Sequence, residues 1–109
     1  MSTEALLVLT TCGNAEQADQ LAKALVTKRL AACVSRVDGI VSTYRWESKL
    51  QQDREVLVLI KTTRECLDAI EASINDQTDY DLPEILAVCV DSGSAEYLKW
   101  LAAAVSPGE

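Results

Sequence analysis

Apolar positions along this chain follow two periods, and the switches between them predict its elements. Residues 5–11 form an unbroken Leu/Val/Thr run closed by Cys12-Gly13, the pattern of a strand buried on both faces. Ala18, Leu21, Ala22 and Leu25 then repeat at helical spacing. Asn14 with Gln17 three residues on supplies a helix start, and Lys23, Lys28 and Arg29 suit the negative end of the helix dipole. Residues 31–46 are β-branched and aromatic, but their alternation changes phase at Asp38-Gly39. Either a two-residue hairpin or a bulge in one long bent strand produces such a change, and the local Asp-Gly pair favours the hairpin. The polar stretch 47–53 predicts a chain reversal, and the apolar run 56–60 a central strand.

Thr62-Thr63-Arg64-Glu65 has the form of a capping box, followed by Cys66, Leu67, Ile70 and Ile74 on one helical face. Pro83 stops any continuation, and residues 85–90 read as another buried strand. Ser94 caps a closing helix bearing Leu98, Leu101, Ala102 and Val105, with Pro107-Gly108 as its stop. The order βαββαβ plus a C-terminal helix predicts an α+β, ferredoxin-like sandwich in a single domain over residues 1–109. Strands this apolar cannot leave one sheet face to water. The last helix and neighbouring subunits must cover it.

Composition narrows the function classes. Ten basic against 17 acidic residues give a net charge of −7 with no basic cluster, which disfavours nucleic acid and anionic membranes. No run approaches the roughly 18 apolar residues of a membrane span, and residues 1–11 lack the basic start of a secretory signal. A cytoplasmic protein is expected. Cys12, Cys33, Cys66 and Cys89 show no paired spacing and read as reduced thiols, Cys66 and Cys89 as small buried hydrophobes. With no His, the commonest general base and transition-metal ligand is missing. No catalytic triad or phosphate loop stands out, and no enzymatic activity is assigned.

Candidate chemistry is therefore limited to thiols, carboxylates and a few cationic and aromatic side chains. Asp76, Asp79, Asp81 and Glu84 lie in one helix-to-strand turn, where carboxylate oxygens suit hard divalent cations. Cys12 and Cys33 suit soft ones, but parallel first and second strands would put them at opposite ends of the sheet. Lys61 and Glu84 form either a salt bridge or, with Tyr80, the walls of a small-ligand cleft. Tyr44 and Trp46, near the hairpin tip, are expected to be buried between subunits, and Tyr97 and Trp100 to be packing residues.

The run LAACVSRVDGIVSTYRWESKLQQDREVLVLIKTT, followed by TDYDLPEIL and EYLKWL, closely resembles the CutA divalent-cation-tolerance family over nearly the whole chain. The resemblance implies a ferredoxin-like subunit in a tight homotrimer similar to PII-type signalling proteins, with a long hairpin reaching across a neighbour. It also implies one long strand bent at Asp38-Gly39, and binding of copper or another divalent cation. Cys33 matches the family's Ala-Ala-Cys motif, Trp46 and Lys49 its W-x-x-K motif, Lys61 its K-T-T, and Tyr80, Pro83 and Glu84 its Y-x-x-P-E. Where many members carry His-Pro before the tyrosine this chain has Thr78-Asp79, and its first-strand cysteine, Cys12, lies about two positions late. Imidazole ligation of copper therefore does not carry over, which leaves Cys33, Cys12, Asp79 and Asp81 as candidate ligands. The alternative implied by the likeness is a PII-like module sensing a small anion in intersubunit clefts through Lys61, with Lys49, Tyr80 and Glu84.

Overall fold

Short polar contacts set where the helices begin. In the computed structural model, which describes residues 4–106, Asn14 accepts a 2.8 Å hydrogen bond from the Gln17 amide while the Gln17 side chain accepts from the Gly13 amide at 3.2 Å. Two backbone donors at the helix start are thereby satisfied. Ser94 does the same for the last helix, accepting from the Tyr97 amide at 3.1 Å. The expected box at Thr62 does not form. Thr62 is still in a strand, and its buried hydroxyl donates instead to the Leu30 carbonyl at 2.7 Å, so a 3-10 turn at Arg64–Cys66 precedes the helix. The Pro107-Gly108 stop lies outside the described residues.

The elements are β1 (Ala5–Cys12), α1 (Ala15–Thr27), β2 (Cys33–Trp46), β3 (Lys49–Thr63), α2 (Leu67–Gln77), β4 (Leu86–Cys89) and α3 (Ala95–Ala104). They form a four-stranded antiparallel sheet in the order β2-β3-β1-β4. Connections through helices place sequence-distant strands side by side, as in the expected ferredoxin-like sandwich.

Residues 31–46 do not make the hairpin that Asp38-Gly39 favours locally. β2 runs through it, and the register of its pairing with β3 shifts between Val37 and Ile40. Gly39 adopts φ +76°, a conformation that costs glycine little and side-chain-bearing residues much. The bulge keeps the ladder intact on both sides while absorbing one phase change. Gly39→Val should therefore cost about 1–3 kcal/mol through backbone strain, seen as a lower denaturation midpoint. An unchanged midpoint would show that the bend relaxes without glycine.

The true reversal is shorter than the polar stretch 47–53 suggests. Glu47 and Ser48 alone turn the chain, both at positive φ (51° and 67°), the backbone sense that matches the strand twist in two-residue hairpins. Trp46 and Lys49, the ends of the W-x-x-K motif, consequently face each other across the turn. The β2–β3 arm helps stretch the molecule to 44 × 27 × 22 Å.

One sheet face holds the core. Leu6, Val8, Val56, Val58 and Ile60 pack with Leu21, Leu25, Ile70 and Ile74 of α1 and α2, all 5% exposed or less. β1 is thus covered tightly on this face only, since Leu7 and Leu9 on the other are half-buried. Strand pairing puts Leu7, Leu9, Leu57, Leu59, Val37, Leu86 and Val88 on that second face. The segment 85–90, expected to be a buried strand, is instead a short exposed edge strand, with Leu86 56% and Val88 49% exposed. α3 packs on β3 and β1, and its buried Leu101 lies outside the α1/α2 core cluster.

Candidate functional site

The arm and the α2–β4 connection build a cleft of about 530 Å³ at one end of the sheet. Because Glu47-Ser48 fixes the register, Tyr44 opposes Gln51 and Ser42 opposes Asp53, so Tyr44 and Asp53 share a face of the arm. Their side chains meet: the Tyr44 hydroxyl donates to Asp53 Oδ2. Tyr80 arrives from beyond α2, and its hydroxyl donates to Glu55 Oε2 on β3. The rings of Tyr44, Trp46 and Tyr80 and the carboxylates of Glu55, Asp81 and Glu84 line the cleft. Burial and the Glu55 carboxylate push the Tyr80 phenol upward, and the Asp53 carboxylate does so for Tyr44. Both phenols therefore stay protonated as donors at neutral pH.

The chemistry expected from the sequence is only partly brought together. Tyr80, Asp81 and Glu84 do meet in the cleft, but Lys61 does not join them. It sits on β3 opposite Cys33, where its ammonium donates to the Ser35 hydroxyl and lies 3.9 Å from Cys33 Sγ. Within one chain, then, Lys61 neither bridges to Glu84 nor faces it across this cleft. The register explains it: Lys61 lies level with Leu7, whereas Glu84 precedes the Leu86 that pairs with Leu9. No Lys or Arg of the same chain lines the cleft. Lys49 stands exposed at the arm's tip and does not line the cleft.

The four cysteines divide by environment. Cys12 is fully buried, and desolvation aided by the Glu55 charge pushes its thiol up to about 11. Cys66 is a buried small hydrophobe, as expected. Cys89 is not: it is exposed, and Arg64 donates to its sulfur at 3.2 Å. Cys33 opposes Lys61 while Cys12 opposes Val56, placing the two thiols at opposite ends of the sheet. Asp79 receives a 3.4 Å hydrogen bond from Gln17 and does not line the cleft. Among the described residues no three His, Cys, Asp or Glu side chains converge to hold a metal ion. Tyr97 and Trp100 touch each other, centroids 5.5 Å apart, and are half-exposed in the single chain.

Sequence reading missed Asp53 and Glu55 as the partners of the two tyrosines. Their signal was present in the alternation of residues 53 and 55 on one strand face, but it becomes legible only with the register of the two-residue turn.

Comparison with known proteins decides the family. A model described as CutA1 divalent ion tolerance protein matches residues 6–104. The chain belongs to the CutA family. It is 42% identical over 95 residues to the divalent-cation tolerance protein CutA of Thermus thermophilus, covering 87% of this chain and 92% of that protein. It is also 42% identical to the chloroplastic CutA of Arabidopsis thaliana over 88% of this chain, and it spans only 53% of that relative's length. The crystal structure of CutA1 from Oryza sativa superposes with a TM-score of 0.93 at 37% identity, covering 96% of each chain. The sheet order and the continuous pairing of β2 here bear out the bent single strand that family likeness implied over the local hairpin. No helix among the described residues is long and apolar enough to cross a membrane.

Proposed function

We propose that this CutA family member acts in divalent-cation tolerance as a cytoplasmic homotrimer, without catalysis, and binds copper through Cys33 where subunits meet. One observation carries the choice of residue: of the four thiols, Cys33 alone is part-exposed on the sheet face opposite α1 and α2, the face that assembly would cover. Thiolate is a fitting ligand for soft Cu(I). The Lys61 ammonium lies 3.9 Å from Cys33 Sγ and repels a bare cation, which restricts the site to metals that take sulfur itself as ligand. Among the described residues no ligand trio converges, and in this reading neighbouring copies supply the further ligands. Tyr44 and Trp46, 41% and 40% exposed in the single chain, retain surface for such a neighbour.

Cu(I) titration under reducing conditions should show binding to the wild type and its loss in Cys33→Ser. Affinity should rise between about pH 6 and pH 8, because thiolate coordination displaces protons. Equal affinity in the two proteins would remove Cys33 from the reading. A site built from Asp79 and Asp81 instead would survive Cys33→Ser and change little over that pH range, since free carboxylates are already ionised above about pH 5.

A further inference from the structure

We draw no further inference here: the strongest candidate, the side-chain cluster of Glu4, Arg64 and Cys89 where the exposed edge strand β4 meets the start of β1, rests on a lone cysteine held by contacts within the cluster, with no second observation among the described residues that points to a ligand.

Discussion

Sedimentation at micromolar concentration should find trimers of the 11.9 kDa chain and no stable folded monomer. The expectation rests on a sheet face that α3 covers only in part: Val37, Leu86 and Val88 are each 46–56% exposed beside half-buried Leu7, Leu9, Leu57 and Leu59. A contiguous apolar patch of this kind is rare on soluble monomers and marks an interaction surface. Leu59 lies on this face between Leu9 and Ser35 in the ladder. Leu59→Asp would place an unpaired carboxylate in the assembled interface, where desolvation costs several kcal/mol. The variant should dissociate or fail to accumulate as folded protein. A wild-type chain that unfolds cooperatively as a monomer at that concentration would end the trimer proposal.

On the helix-covered face, Leu21→Ala should lower stability by about 2–5 kcal/mol, a large share of the roughly 5–15 kcal/mol available to a domain. Leu21 is fully buried on α1 among side chains of β1, β3 and α2. Removing three carbons there forfeits their burial and leaves a cavity that the sheet cannot collapse to fill. Val26, one and a half turns further along the same helix, is 44% exposed. Val26→Ala should change stability by less than about 0.5 kcal/mol, the packing loss being offset by better helix propensity. Chemical denaturation of both variants with an unchanged slope separates them. Equal losses would mean that α1 does not dock as described.

Some features were legible because they are written in adjacent residues. Asn14 with Gln17 and Ser94 with Tyr97 act across three positions, so the sequence contains both partners of each contact. The helical faces of Leu21 and Leu25 and of Ile70 and Ile74 likewise follow from spacing alone. The capping box at Thr62 failed for the opposite reason. Its hydroxyl found a distant acceptor, the Leu30 carbonyl, and a buried hydrogen bond outcompeted the local one.

Sequence by itself determined the order and type of the elements, the buried helix faces, and, through family likeness, the sandwich that joins them. Tertiary structure alone decided the rest, because each remaining question turned on strand register. A phase change at Gly39 is compatible with a hairpin or a bulge until β3 pairs on both sides of it. Lys61 and Glu84 both lie near strand ends, yet the ladder sets them at different levels and gives Lys61 to Ser35 and Cys33. Tyr80 and Glu55 are 25 residues apart and meet because the connection after α2 returns to the middle of β3, where the arm leaves β1. No local pattern encodes such a meeting, since it depends on the summed geometry of every strand between them.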